Sequence, residues 1–171
     1  TSDKETLMKA DKVIFPGVGE AETTMNFLRK EKLDILIKEL KQPVLGICLG
    51  MQLLFEKSYE FGEYEGLGLL KGAVRPIRDV APADYKVPHI GWNALNLQKS
   101  HPLLKYVLEG DCVYFVHSYY ATDCPDAVIA TTEYGAPITA AVAQGNVCGC
   151  QFHPEKSGTV GLSILKAFCE L

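Results

Sequence analysis

A chain of 171 residues can bury roughly 70% of its unfolded surface, so one hydrophobic core can hold it together without a metal or disulfide staple. Seventeen basic against 21 acidic side chains give a formal net charge of −4, which excludes a surface built to coat nucleic acid. A hydrophobic fraction of 47% with 22% charged residues excludes a disordered chain.

The first eleven residues, Thr1 to Asp11, are polar and charged. They read either as a flexible terminus or as the place where a strand and its crossover helix would precede the first clear strand. Val13-Ile14-Phe15 is that strand, ended by Pro16-Gly17. A helical stretch from Glu20 to Leu40 follows, with Leu33, Leu36, Ile37 and Leu40 on one face. Val44-Leu45-Gly46-Ile47 is a second buried strand, and Leu53, Leu54 and Phe55 predict a helix directly after Cys48. Buried strands separated by helices imply a parallel sheet with crossover helices.

From Gly72 onward, short β-rich runs alternate with turn residues: Ala73 to Ile77, Val87 to Leu97, Cys112 to Ala121, Val128 to Glu133, Ile138 to Gln144 and Val147 to Phe152. A last helix begins near Gly158, with Ser157 as N-cap and Leu162, Leu165, Phe168 and Cys169 at helical spacing. The fold class expected is α/β, one domain over residues 1–171, with later strands partly antiparallel. The longest stretch free of Lys, Arg, Asp and Glu, Tyr134 to Pro154, carries Gly135, Pro137, Gly145 and Gly149 and is no lipid-facing helix. No basic, apolar leader pattern is present, so a cytoplasmic location is expected, with Cys48, Cys112, Cys124, Cys148, Cys150 and Cys169 reduced and mostly buried.

Gly46-Ile47-Cys48-Leu49-Gly50 is a G-x-C-x-G pattern between a buried strand and a helix, the context of a nucleophile elbow. Flanking glycines permit the tight turn, and a helix N-terminus beneath the thiol lowers its pKa. Taken alone, a small buried cysteine between glycines fits as well. Phe152-His153-Pro154-Glu155 supplies an imidazole beside a carboxylate at another strand end. A cysteine nucleophile needs such a base, and the base an acceptor to fix its tautomer. A surface His-Pro-Glu turn is the plain alternative, but the two segments together favour catalysis. Attack on a carbonyl also needs donors for the oxyanion. Pro16-Gly17-Val18-Gly19 and the Leu49 N–H are candidates, although the former alone is equally an ordinary turn. One such donor is worth about 2.7–4 kcal/mol, so rotating a peptide here could switch activity by hundreds-fold.

These three segments, extended to Met51-Gln52 and to Gln151 through Ser157, resemble those of class I glutamine amidotransferases. Gly66-Leu67-Gly68, His89-Ile90-Gly91-Trp92-Asn93 and Phe115-Val116-His117-Ser118-Tyr119-Tyr120 narrow the resemblance to glutaminase subunits of imidazole glycerol phosphate synthase, of histidine biosynthesis. The resemblance implies a flavodoxin-like fold with a mostly parallel central sheet, helices on both faces and an antiparallel extension. It also implies that the family's opening strand, glycine-rich turn and helix are missing before Thr1.

The reaction implied is hydrolysis of L-glutamine to glutamate and ammonia, with Cys48 as nucleophile, His153 as base and acid, and Glu155 orienting it. Gly17, Val18, Gly19 and Leu49 would form the oxyanion site. Gln52, Glu60, His117, Ser118 and Tyr119 would hold the substrate, Glu60 being equally a solvated acidic residue among Glu56, Glu63 and Glu65. The ammonia would pass to a (β/α)₈-barrel cyclase partner, with Pro88, Trp92, Asn93, Tyr114 and Lys156 at the interface. Without the resemblance, Trp92 reads as a half-buried core residue. No cofactor, nucleic acid or membrane is implied. Cys148 and Cys150 flank Gly149 ahead of His153 in a C-x-C-x-x-H pattern. It lacks a fourth ligand and standard zinc spacing and reads as core packing. Two other readings stand beside the glutaminase: a different cysteine hydrolase on the same fold, and a silent docking module.

Overall fold

The computed structural model describes residues 1–171. Its polar opening contains helix α1 (Lys4–Lys9), capped by Asp3, whose carboxylate accepts from the Thr6 amide at 2.8 Å. None of its residues is buried, so no apolar stripe marked it in the sequence. Strand β1 (Val13–Gly17) is followed by α2 (Ala21–Lys30) and α3 (Leu33–Glu39). The single helix predicted over Glu20 to Leu40 is thus two. It breaks at Lys32, whose φ of 57° and ψ of 25° lie in the left-handed region. The break lets Met25 and Leu28 of α2 and Leu33, Leu36 and Ile37 of α3 enter one core.

Strand β2 (Val44–Cys48) leads into α4 (Leu49–Gln52), a single turn. The helix predicted through Phe55 ends early, because β3 (Phe55–Ser58) starts there. Leu53, Leu54 and Phe55 are all fully buried, and a short continuous apolar run does not distinguish a buried strand from a buried helix. Strands β4 (Tyr64–Glu65), β5 (Leu70–Pro76), β6 (His89–Ala94), β7 (Asn96–Leu97), β8 (Cys112–His117), β9 (Tyr119–Thr122), β10 (Val128–Glu133), β11 (Pro137–Gln144) and β12 (Val147–Cys150) precede the final helix α5 (Gly158–Cys169). The predicted runs Val87 to Leu97 and Cys112 to Ala121 each hold two strands, interrupted at Leu95 and Ser118.

The central sheet has the order β1-β2-β12-β11-β10-β7. Strand β2 runs parallel to both β1 and β12, and pairing turns antiparallel from β11 outward. Four of its six strands therefore point the same way. Helices α2 and α3 pack on one face with Val142 and Val147. Helix α5 covers the other, its Ile164 and Phe168 meeting Leu45, Ile47, Phe115 and Phe152. A four-stranded sheet, β4-β3-β5-β9, and the antiparallel ribbon β6-β8 extend this core.

Helix α5 buries Gly161, Ile164, Ala167 and Phe168, whereas Leu162 and Cys169, grouped with that face from the sequence, are exposed. Its N-cap position is Ser157 as expected, but the hydroxyl makes no capping bond. It donates instead to the His153 carbonyl at 2.6 Å and accepts from the Tyr114 amide at 3.0 Å. The start of α5 thereby clamps the His153 turn to β8. The helix approaches that turn so closely that a Cβ on Gly161 would stand 1.9 Å from the Pro154 carbonyl oxygen. Gly161→Ala should lower stability in urea denaturation by about 3 kcal/mol, while Leu162→Ala, at an exposed neighbour, should change it by less than about 0.5 kcal/mol.

Candidate active site

Strand β2 ends on Cys48 with φ 53° and ψ −113°, backbone that a side-chain-bearing residue adopts at a cost of roughly 1–3 kcal/mol. The packing around it enforces this. A Cβ on Gly50 would lie 1.9 Å from the Phe15 carbonyl oxygen, and one on Gly46 would lie 2.8 Å from Gly50. The chain can only cross from strand to helix here with glycine on both sides of the cysteine. Gly17, paired with Cys48 in the β1–β2 register, is held to glycine by the same approach, its Cβ site lying 2.8 Å from the Gly50 nitrogen.

Cys48 opens on a cavity of about 380 Å³ at the carboxyl ends of β1 and β2. Its walls bring together Val18, Gly19, Leu49, Gln52, Glu60, Pro88, His117, Ser118, Tyr119, His153 and Lys156. Glu155 lies outside it, half-exposed, with Oε1 2.7 Å from Nδ1 of the buried His153. That contact occupies one ring nitrogen and leaves Nε2 as the nitrogen available for chemistry. Gly17 faces a second, more apolar cavity behind the elbow, shared with Ile14, Ile47 and Glu155. Trp92, Asn93 and Tyr114 also lie outside the cavity wall.

The expected lowering of the Cys48 thiol pKa is not what the structure gives. Burial pushes it up, aided by the charges of Glu155 and Glu60 and opposed by the Leu49 backbone N–H. A helix of one turn is too short to reverse that desolvation. Cys124, Cys148 and Cys150 are buried, while Cys112 and Cys169 are exposed, so fewer thiols are hidden than the sequence suggested. All six are free. Cys148 and Cys150 pack among Leu45, Ile47 and Phe152, and no group of three metal-ligating side chains assembles around them.

Gln52 is buried, and its Nε2 donates to the Tyr119 carbonyl at 3.1 Å and to Gln151 Oε1 at 3.0 Å. Glu60 accepts from the Ala21 amide at 2.6 Å, supplying the cap that the N-terminus of α2 otherwise lacks. Burial raises its carboxyl pKa against that hydrogen bond, and it is partly buried where Glu56, Glu63 and Glu65 around it are exposed. His117 Nδ1 lies 2.7 Å from the Tyr119 carbonyl, and its Nε2 lies 3.0 Å from His89 Nδ1. Asn93 donates to the Glu133 carbonyl and turns its Oδ1 to His89 Nε2 at 2.8 Å. Both outer partners of this histidine pair are acceptors, so a bond between the rings needs one proton more than two neutral imidazoles carry. Burial opposes that proton, pushing His89 down and His117 down to about 3.

Trp92 is not a core residue: it is 56% exposed, beside Tyr114 at 6.0 Å between ring centroids. Alternation along β6 and β8 puts Ile90, Trp92, Tyr114 and Val116 on the outward face of the ribbon, leading to the cavity mouth. Sequence reasoning missed Phe61, Val116 and Gln151. Phe61 lines the cavity with its ring edge-on to Tyr119 at 6.1 Å, and no local pattern marks it. Gln151 had a signal: extended chain puts it on the same side as Gly149 and His153, facing the elbow rather than the core.

A family profile described as glutamine amidotransferase class-I matches residues 1–170. The chain belongs to that family. A relative described as imidazole glycerol phosphate synthase subunit HisH, from Lactococcus lactis subsp. lactis, is 55% identical over 98% of this chain and 83% of its own length. One of the same description from Bacillus cereus is 48% identical over 98% of this chain and 80% of its own. Among solved structures, a glutamine amidotransferase superposes with a TM-score of 0.71 at 20% identity, over 99% of this chain and 85% of that one. Another, from Thermotoga maritima, gives 0.65 at 21% identity, over 96% and 64%. At these identities the two structures speak for the fold alone.

Because burial raises the Cys48 pKa and the thiolate is the reactive form, iodoacetamide alkylation of Cys48 should be slow at pH 7. It should climb with a midpoint above pH 9, the ordinary thiol value, as followed by mass spectrometry of the Cys48 peptide. A midpoint below pH 8 would contradict the desolvation argument.

Proposed function

We propose that this chain is the glutaminase subunit of an imidazole glycerol phosphate synthase, hydrolysing L-glutamine and passing the ammonia to a (β/α)₈-barrel cyclase for imidazole-ring closure in histidine biosynthesis. One observation carries the reading: Cys48 and His153 share one cavity wall, while Glu155 occupies the other nitrogen of His153. The proposal rests equally on the two relatives of that description at 55% and 48% identity.

In the reaction, Cys48 Sγ bonds to the carboxamide carbon of glutamine, its proton passing to His153 Nε2. The tetrahedral oxyanion is met by the Leu49 N–H and by an N–H of the Gly17-Val18-Gly19 loop. His153 then gives its proton to the departing nitrogen as the C–N bond breaks, leaving a thioester and ammonia. Water attacks the thioester with His153 as base, releasing glutamate and restoring the thiol. Glu155 holds the imidazole in the tautomer that presents Nε2. Gln52, Glu60 and His117-Ser118-Tyr119 line the remaining walls and form the pocket for the α-amino and α-carboxylate groups. A rotation of one peptide in Gly17 to Gly19 would bring the oxyanion donor into place when the partner docks, and a thiol that burial keeps protonated suits an enzyme silent until then.

The partner surface in this reading is the exposed strip around Trp92, with Tyr114 beside it and Pro88 and Lys156 at the cavity mouth; Asn93, next along β6, turns its side chain to the opposite face, to His89 and Glu133. Tryptophan is enriched at interface hot spots. The Tyr114 carbonyl also accepts from the His153 amide at 3.0 Å, which ties the docking strand to the catalytic turn.

Glutamate release from glutamine, assayed with and without the cyclase, tests the proposal. Turnover should require the partner, and Cys48→Ser should lower it by about a thousandfold or more; retained turnover would refute thiol catalysis. Trp92→Ala should weaken binding to the cyclase at least tenfold while leaving the urea denaturation curve within about 0.5 kcal/mol. Unchanged affinity would remove Trp92 from the interface.

A further inference from the structure

Gln151 is fully buried beside the elbow, 0% exposed, on the stretch that joins β12 to His153. Its amide nitrogen lies 3.8 Å from Cys48 Sγ, and its amide oxygen accepts from Gln52. An amide can be reversed without changing its shape, so the sense of these contacts has to be argued from what surrounds them. The Tyr119 carbonyl settles it. That oxygen can only accept, and it takes hydrogen bonds from Gln52 Nε2 at 3.1 Å and from His117 Nδ1 at 2.7 Å. Gln52 must therefore present its NH₂ group both to Tyr119 and to Gln151. Gln151 must answer with its oxygen, and its own NH₂ is left facing the sulfur.

We infer that Gln151 is a catalytic residue of the glutaminase site, whose N–H, aimed by a polarity relay running from the Tyr119 carbonyl through Gln52, stabilises the Cys48 thiolate. The inference rests on the reading of Cys48 as the nucleophile. Inside a site that resists a negative charge by desolvation, a donor with no competing water has more effect than an exposed one. With the Leu49 N–H, it gives the sulfur two donors from two different elements, α4 and the chain after β12. Both bond the thiolate more strongly than the thiol, so they lower the cost of the step in which His153 takes the proton. The relay also gives Gln52 a second task, fixing the direction of Gln151, besides lining the substrate cavity.

The test reads the ionisation of Cys48 in the intact protein without glutamine, as the pH profile of iodoacetamide alkylation of the Cys48 peptide. Gln151→Met keeps the volume and removes the donor. It should raise the midpoint by about one unit, a tenfold loss of thiolate near neutral pH. Gln52→Met leaves Gln151 in place and adds no charge but removes the donor that aims it, so that its amide no longer holds its N–H on the sulfur. That variant should raise the midpoint as well, and it supplies the readout should Gln151→Met fail to fold. In the double variant the two shifts should fall short of adding, because both act through one amide. An unshifted midpoint in folded Gln151→Met, or in Gln52→Met if that alone folds, overturns the inference, as does full additivity in the double variant. The profiles need no turnover. A chain inert towards glutamine would refute the functional reading and leave the relay standing, whereas an active enzyme with unshifted profiles would do the reverse.

Discussion

The carbonyl oxygen of Phe15 sits where a side chain on Gly50 would have to be, 1.9 Å from its Cβ position, and this one close approach decides how the site is built. It presses the first turn of α4 against β1 so tightly that the chain can leave β2 only through a left-handed Cys48. The sulfur then stands at the carboxyl edge of the parallel strands, with the Leu49 N–H against it and Gln52 one turn further along the same helix. Gly17 is drawn into the same contact, so the loop after β1 starts from a fixed point opposite the cysteine. Strain of roughly 1–3 kcal/mol is sustained because three segments of backbone would otherwise overlap.

The second half of the site is assembled from the opposite end of the chain. The His153 turn is trapped between α5, which approaches through Gly161, and β8, which it meets through Ser157 and the Tyr114 backbone. His153 therefore has little freedom, and Glu155 holds its ring from outside the cavity. The electrostatics of the two halves oppose each other: burial and two carboxylates hold the thiol protonated, while oriented N–H groups favour the thiolate. The exposed Trp92 strip lies on β6, the strand paired with β8, whose Tyr114 carbonyl accepts from the His153 amide.

Much of this was legible in the sequence. The elbow, the His-Pro-Glu turn and the alternation of β2 with flanking helices follow from glycine spacing and apolar runs, and the cavity does gather Cys48, His153, Gln52 and His117-Ser118-Tyr119. What the sequence misread has physical causes. Leu53-Leu54-Phe55 is apolar throughout, so its period could not separate strand from helix. The division of α2 from α3 hangs on the left-handed conformation of Lys32, for which the residue type gives no warning. The direction of the Cys48 pKa shift depends on how deeply the thiol is buried and on the helix ending after one turn, neither of which is a local property. Alternation with Gly149 and His153 shows which way Gln151 faces, but its bond to Gln52 and, through Gln52, to the Tyr119 carbonyl joins residues 99 and 32 positions away that only the sheet brings together.

Cys48 is the one thiol that the proposed reaction places to attack a glutamine side chain. The direct measurement is the site of covalent capture when the protein, complexed with the cyclase, is treated with an electrophilic analogue of glutamine and its cysteine peptides are weighed. One adduct on Cys48, suppressed by excess glutamine, is the result predicted, with the exposed Cys112 and Cys169 untouched. An unmodified Cys48, or labelling that follows exposure rather than the elbow, would contradict it.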